Sequence, residues 1–102
     1  MTVRFQRRAE TTSPMAVAIA QEFADYINGK YPETLQVFTE RFGVLNVVYW
    51  ITDFPDVATL DTRLTELAAD EGYQAIIVKA LEADAFVPGS VQDTVLSTEP
   101  GG

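Results

Sequence analysis

One segment of the chain, 44–53, is apolar on both of the faces that a β-strand would present. Side chains alternate between the two faces of a strand, so Leu45 and Ile51 would lie on one side, and Val48 and Trp50 on the other. A strand with one face in water carries polar residues on that face, yet neither alternate set here is polar throughout. The segment therefore predicts a strand in a sheet that is covered on both faces.

The other elements follow from periodicity and from turn residues. Residues 2–8 are predicted to form a strand, and a helix of about four turns begins at Pro14 after a Ser13 cap and ends at 28–29. Two strands follow over 34–42 and 44–53, joined by a hairpin turn at 41–44. A second helix begins after 53–56, and the last strand covers 91–98. Residues 70–72 interrupt the second helix, so the apolar stripe from Tyr73 to Leu81 is either a bent continuation or a separate short helix.

The order strand, helix, strand, strand, helix, strand is that of a ferredoxin-like α+β fold, βαββαβ. In this fold both helices cover one face of a four-stranded antiparallel sheet, which leaves the other face open. We expect one such domain over 1–98 and a flexible tail at 99–102. A chain of 102 residues has enough apolar material for one core, and a partner sheet on the open face would add stability.

The open face is predicted to be a mixture of apolar and polar side chains, which is typical of an interface that encloses a pocket. Its expected residues are Arg4, Gln6, Arg8, Phe38, Asn46, Val48, Trp50 and Leu96. Among them, we predict a ligand-binding role for five: Arg4, Gln6, Arg8, Phe38 and Val48. For the arginines an alternative stays open, in which a strand end pairs with carboxylates of a second copy instead of clamping an anion.

Composition excludes several classes of partner. The formal net charge is −8, from 15 acidic and 7 basic residues, and such a field repels phosphate backbones and anionic lipids. No apolar run approaches the length of about 18 residues that a membrane span needs. We therefore expect a cytoplasmic protein whose partner is itself, as a homodimer through the open sheet face, with no nucleic acid and no membrane.

Composition also limits the chemistry. The chain has no cysteine and no histidine, which removes thiolate nucleophiles, imidazole bases and the usual zinc and copper ligands. Its acidic clusters lack the spacing of a calcium loop, and no phosphate or dinucleotide fingerprint is present. We expect no metal and no cofactor, and whether the protein is an enzyme stays open.

From residue 2 to residue 98 the layout resembles the dimeric α/β-barrel superfamily, in particular the branch that holds antibiotic-biosynthesis monooxygenase and NIPSNAP-like domains. The resemblance is carried by the Trp50 strand that runs into 52–54, by the segment 70–73 within the second helical region, and by 88–90 before the last strand. The resemblance implies a ferredoxin-like subunit in a dimeric α/β barrel. Because it is a resemblance of layout, it implies this fold and assembly more strongly than it implies an activity.

Members of that superfamily include cofactor-independent oxygenases and cyclases of aromatic polyketides, haem-dependent enzymes and proteins without known activity. The absence of histidine disfavours the haem-dependent group. In the cofactor-independent group an Asn and a Trp of the pocket handle a phenolic substrate, so the resemblance implies that Asn46 and Trp50 are the catalytic pair. The alternative is a core Trp and an Asn at the edge of the pocket that satisfies backbone groups.

Two functions are therefore carried forward. The first is a small homodimeric pocket protein that binds an apolar or aromatic small molecule, with cofactor-independent monooxygenase or cyclase activity in secondary, polyketide-type metabolism as its enzymatic form. The second is a non-catalytic dimer or higher assembly in which the open sheet face serves only for interaction. A cavity of several hundred cubic ångströms favours the first, and a filled interface favours the second.

Overall fold

The structure, a computed structural model, describes residues 1–40 and 46–98. Its elements in chain order are β1 (Val3–Glu10), α1 (Met15–Lys30), β2 (Leu35–Thr39), β3 (Val47–Phe54), α2 (Val57–Ala68), α3 (Glu71–Glu82) and β4 (Gln92–Ser97). The predicted hairpin turn at 41–44 and the predicted tail at 99–102 lie outside the described residues.

The four strands form one antiparallel sheet in the order β2-β3-β1-β4. The central pair is β1 and β3, in a register that joins Val3 to Phe54 and Glu10 to Val47. The helices pack on one face of this sheet. This arrangement confirms the predicted α+β class and the ferredoxin-like order of strands and helices.

Aspartates begin the second and third helices. Asp56 accepts a hydrogen bond from the backbone N–H of Thr59 at 2.7 Å, and Asp70 accepts one from the N–H of Tyr73 at 3.0 Å. Side-chain oxygens at this position satisfy N–H groups that have no partner within the helix. Because Asp70 starts its own helix, α3 is a separate helix, and this decides between the two interpretations of 70–72. The first helix differs, since no side chain caps its N-terminus, whereas Ser13 was expected to do so.

The space beneath the helices holds two hydrophobic clusters. The larger one joins α1 and α3 to β3, with Phe23, Trp50 and Ile76 among its buried members. The smaller one consists of Val3, Phe54 and Leu60, with Phe5 and Leu64 packed against it, and it holds α2 on the sheet. The helical layer is thus anchored at two places.

The predicted face of β3 is wrong for Val48 and Trp50. Val48 pairs with Ala9 and Trp50 with Arg7, so both side chains lie on the helix-covered face, where Val48 is 1% exposed. The Trp50 indole N–H donates to the carbonyl of Ala20 in α1 at 3.0 Å. Both alternate sets of this strand are apolar, so alternation alone did not identify the face that the helices cover.

Of the other residues predicted for the open face, Arg4, Gln6, Arg8, Phe38 and Leu96 do lie there, whereas Asn46 precedes the start of β3. Arg4, Gln6 and Arg8 pair with Asp53, Ile51 and Tyr49, and Phe38 pairs with Tyr49 from the other side. Side chains alternate along a strand, so these residues point away from the helices. Within the described part of the chain, no helix is long and apolar enough to cross a membrane. The cytoplasmic location stays a prediction.

Candidate functional site

A cleft of about 670 Å³ lies between the helix-covered face of the sheet and the helical layer. It occupies the gap between the two hydrophobic clusters: Phe5 and Leu64 line it from the smaller cluster, and Phe23 and Trp50 from the larger. A volume of this size is in the range of roughly 300–1,000 Å³ that is usual for small-molecule sites. This cleft lies inside the subunit, on the helix-covered side of the sheet, whereas the pocket expected between two partner sheets would lie on the other side.

Most of the cleft wall is apolar. The apolar and aromatic side chains that line it are those of Phe5, Ala9, Phe23, Ile27, Leu35, Trp50, Phe54, Leu64, Leu67, Ala68, Ile77, Ala80, Leu81, Phe86, Val87, Pro88 and Val91. The Trp50 ring packs edge-on against Phe23 and Phe86, with ring centroids 6.0 and 5.6 Å apart. Because these contacts and the bond to Ala20 fix the indole, Trp50 offers a ligand a rigid aromatic wall and no free N–H.

Arg7 is the central polar group of the cleft. It points from β1 to the helix side, where its Nε and Nη2 donate to the two carboxylate oxygens of Asp93 at 2.7 and 2.9 Å. Its Nη1 donates more weakly to the hydroxyl of Tyr73 in α3, at 3.3 Å. The bond to Asp93 raises the pKa of Arg7 above its usual value, so the guanidinium stays charged. The sheet floor and the wall formed by α3 are thus tied together through one side chain.

A partly buried ion pair lines another part of the cleft. Arg63 of α2 donates to both carboxylate oxygens of Glu33 at 2.6 and 3.1 Å, and each side chain of this pair is 14% exposed. The bond to Arg63 holds the pKa of Glu33 below its usual value. The guanidinium of Arg63 also lies over the ring of Tyr31, 5.0 Å from its centroid. These contacts fasten α2 to the end of α1 and to the loop that follows it.

The structure separates the predicted catalytic pair. Trp50 lines the cleft, whereas Asn46 is exposed before the start of β3 and is not among the residues that line it. The backbone carbonyl of Asn46 accepts from the N–H of Thr11 at 2.7 Å and from its hydroxyl at 3.1 Å, so this part of Asn46 secures the strand end. A catalytic role for these two residues stays a prediction.

The predicted ligand-binding residues are not brought together in the cleft. Arg4 makes a two-bond ion pair with Asp53 on the open face, at 2.8 and 3.0 Å, and both line a smaller pocket of about 360 Å³ there. Gln6, Arg8 and Phe38 line neither of the two pockets. Val48 is enclosed in the core and cannot contact a ligand on the open face. The ligand-binding role of this set, Val48 excepted, stays a prediction.

The sequence contained one overlooked signal for the cleft. Arg7 has the same strand parity as Val3 and Phe5, so it is an arginine on an otherwise apolar alternate set. A charge on the buried face of a strand calls for a partner and often marks a site. Tyr73 carried no comparable signal, because tyrosine on a helical stripe is usually a packing residue. Among residues 1–40 and 46–98, no group of acidic side chains could hold a metal ion.

Comparison with known proteins places the fold among solved structures. No protein-family model and no curated protein matches the chain. An uncharacterised NIPSNAP domain protein from Burkholderia xenovorans superposes with a TM-score of 0.75 at 22% identity, over 97% of this chain and 95% of that one. SnoaB from Streptomyces nogalater, a cofactor-independent oxygenase, superposes with a TM-score of 0.68 at 16% identity, over 97% and 94%.

A third structure, an antibiotic biosynthesis monooxygenase, gives a TM-score of 0.68 at 13% identity, over 96% of this chain and 99% of that one. The structural neighbours are thus NIPSNAP and antibiotic-biosynthesis-monooxygenase-like proteins, as the resemblance in layout implied. At these identities the likeness establishes the ferredoxin-like fold.

Proposed function

We propose that this protein binds an apolar or aromatic small molecule in the cleft between its sheet and its helices. The observation that carries the proposal is the cleft itself, a volume of about 670 Å³ with an aromatic wall and few polar groups. A planar ring placed there would lie against Trp50 and Phe86 and would displace water from apolar surface. The cleft belongs to one subunit, so the proposal does not depend on a partner chain.

The enzymatic form of this proposal is a cofactor-independent monooxygenase or cyclase of polyketide-type metabolism. It is supported by the fold shared with SnoaB, a cofactor-independent oxygenase, and by the aromatic character of the cleft. The structure of the chain adds a requirement: because the Trp50 N–H is bonded to Ala20, a substrate oxygen would take its hydrogen bonds from other groups.

Binding can be tested with two neighbouring residues of α3. Ile77 lines the cleft, whereas Val78 is exposed on the outside of the helix. We expect Ile77→Trp to fill the cleft and weaken the binding of a planar aromatic probe such as a hydroxyanthraquinone at least about tenfold, because the ring and the new indole would compete for one volume. Val78→Trp should leave the affinity unchanged.

Calorimetric titration gives the affinities of both variants, and Trp50 fluorescence gives an independent signal in the natural sequence. We expect saturable quenching with one site per chain. Equal affinities of Ile77→Trp and Val78→Trp would place the bound ring elsewhere, and the proposal would then fail.

We also propose that two copies associate through their open sheet faces. That face carries Phe38 and Leu96, which are 45% and 52% exposed in the single chain. Leu96 belongs to β4, whose residues are all exposed, and Gln92 and Thr94 of that strand lie on the same face as Leu96. A second sheet would cover these side chains and shield the Arg4 and Asp53 pair.

Dimerisation predicts a mass of about twice 11.2 kDa by light scattering at micromolar concentration. We expect Phe38→Glu to raise the dimer dissociation constant at least about tenfold, because it places a charge in the sheet interface of a protein that already carries a net charge of −8. Val78→Glu adds the same charge on the helical side and should leave the mass unchanged. A wild-type monomer would contradict the dimer.

The alternative function is a non-catalytic dimer or higher assembly, and the exposed apolar residues of β4 and the open face favour it. It differs from the first proposal in one respect, since it predicts no saturable binding in the cleft. The titration of Ile77→Trp and Val78→Trp therefore separates the two.

A further inference from the structure

The last strand, β4, is supported by a single neighbour. It lies at one edge of the sheet and pairs with β1, and no other helix or strand of the described chain neighbours it. The strand at the opposite edge, β2, also packs against α1. All residues of β4 are exposed, so the strand buries little apolar surface. Segments with few buried contacts open at a low free-energy cost, and we therefore expect β4 of a single chain to open before the rest of the sheet.

The two faces of β4 belong to two different surfaces. On the helix side, Asp93 accepts hydrogen bonds from Nε and Nη2 of Arg7, and Arg7 lines the cleft. Val91, which directly precedes β4, lines the cleft too. On the open face, Leu96 is 52% exposed beside Arg4. Opening of β4 would thus disturb the cleft from one side, and a cover over Leu96 would oppose that opening from the other.

The open face is also a surface that a second copy can approach at low electrostatic cost. Two of its charged residues are already paired with each other, because Arg4 donates to both carboxylate oxygens of Asp53. Its other charged residues in the described chain are Arg8, Glu10 and Glu40. Two cations thus stand against three carboxylates, whereas the whole chain has a net charge of −8. A second copy therefore meets less repulsion on this face than the net charge of the chain would impose.

We propose that a second copy on the open face holds β4 in place and thereby stabilises the cleft, so that dimerisation and ligand binding strengthen each other. The second copy adds no residue to the cleft; it acts through Leu96 on one face of β4 and Asp93 on the other. The coupling is reciprocal, because a ligand that needs β4 in place favours the dimer to the same extent. This inference rests on the two proposals above, the binding cleft and the dimer, and adds the link between them.

Phe38→Glu tests the coupling from a distance. Phe38 lies on β2, at the edge of the sheet opposite β4, and it does not line the cleft. The measurement is made at a concentration at which the wild type is a dimer and this variant is a monomer. We expect the variant to bind the hydroxyanthraquinone probe at least about fivefold more weakly than the wild type. Val78→Glu, which adds the same charge on the helical side, should keep the wild-type mass and affinity.

Hydrogen exchange of the same proteins shows whether β4 carries the effect. We expect the β4 amides that bond to β1 to exchange at least about tenfold faster in Phe38→Glu than in the wild type, without any ligand, because the monomer lacks the cover over Leu96. The amides of α1 lie in the helical layer and should exchange equally fast in both proteins.

Asp93→Asn breaks the link without touching the open face. An asparagine cannot accept from the Arg7 guanidinium at both positions, so the position of β4 no longer determines that of Arg7. We expect Asp93→Asn to remain a dimer, and Phe38→Glu to weaken probe binding less than about twofold in this background. The difference between the two backgrounds is the coupling that passes through this ion pair.

The results distinguish the coupling from the two proposals on which it rests. Equal probe affinities of dimeric wild type and monomeric Phe38→Glu would overturn the coupling, although the cleft and the dimer would both stand. Equal exchange of β4 in the two proteins, or the same loss of affinity in both backgrounds, would overturn the role of β4. If the probe does not bind at all, or if the wild type is a monomer, the corresponding proposal fails and the inference fails with it.

Discussion

Replacing Gly72 by alanine is expected to destabilise the protein by about 1–3 kcal/mol, although alanine is the better helix former. Gly72 lies in the first turn of α3, directly beneath the ring of Tyr26. A Cβ at this position would lie 2.6 Å from Cζ and 2.8 Å from Cε2 of that ring and would also overlap its hydroxyl. The ring cannot move aside without cost, because its hydroxyl donates to Asp70, which caps the same helix.

The matched control is Gly29, near the C-terminal end of α1. A Cβ there would have no atom within 4 Å, so Gly29→Ala should stabilise the protein by about 0.5–1 kcal/mol through its helix propensity alone. Urea unfolding of both variants measures the two changes. The two changes in the free energy of unfolding are expected to have opposite signs, because only Gly72 has a side chain packed against it. A stabilising Gly72→Ala would show that α1 and α3 do not pack as described.

The second large effect is expected at Asp70, whose side chain is 2% exposed. It accepts hydrogen bonds from Lys30 at 2.8 Å, from the hydroxyls of Tyr26 and Tyr31, and from the backbone N–H of Tyr73. In Asp70→Asn an amide NH₂ would replace one acceptor oxygen and would face the ammonium of Lys30. We expect the Tm to fall by at least about 10 °C, because a buried network loses both its charge and one acceptor.

The loss should depend on pH. Lys30 and the two tyrosine hydroxyls hold the pKa of Asp70 well below its ordinary value of 3.8, and the bond to Asp70 raises the pKa of Tyr31 to about 12. A carboxyl whose pKa is depressed on folding contributes stability above its unfolded pKa, and this contribution is lost as the pH falls through the folded one. The Tm difference between wild type and Asp70→Asn should therefore be constant near neutral pH and should narrow below about pH 4.

Asp56→Asn is the matched control, because Asp56 caps α2 through one bond to the N–H of Thr59 and is exposed. Asparagine caps helices about as well as aspartate, so we expect a Tm change of less than about 3 °C. Thermal melts of both variants between pH 3 and pH 7 make the comparison. Equal losses in the two variants would mean that Asp70 acts only as a cap.

The order of elements was predictable because local signals mark it. Pro14, the 28–29 pair and the 53–56 segment delimit helices through their own backbone preferences. Alternation identifies β1, and the apolar character of both faces identifies β3. Local chemistry also indicated a break at 70–72, but it could not show that Tyr26 and Lys30 of another helix also bind the Asp70 carboxylate.

The site was less predictable because its defining contacts join distant parts of the chain. Arg7 and Asp93 are 86 residues apart, and the indole of Trp50 bonds to a carbonyl 30 residues earlier. Alternation places Val48 and Trp50 on one face of β3, but only the packing of α1 decides which face that is. The distinction between a pocket inside the subunit and one between subunits depends on this choice.

The cleft that separates the two hydrophobic clusters also divides the protein energetically. The small cluster of Val3, Phe54 and Leu60 and the ion pair between Arg63 and Glu33 hold α2, whereas the larger cluster holds α1 and α3. Local opening of α2 can therefore occur without global unfolding, and its amides should exchange hydrogen faster than those of α1. A ligand in the cleft would join the two clusters into one apolar core. Ligand binding would then slow amide hydrogen exchange throughout α2, although α2 forms only part of the cleft wall.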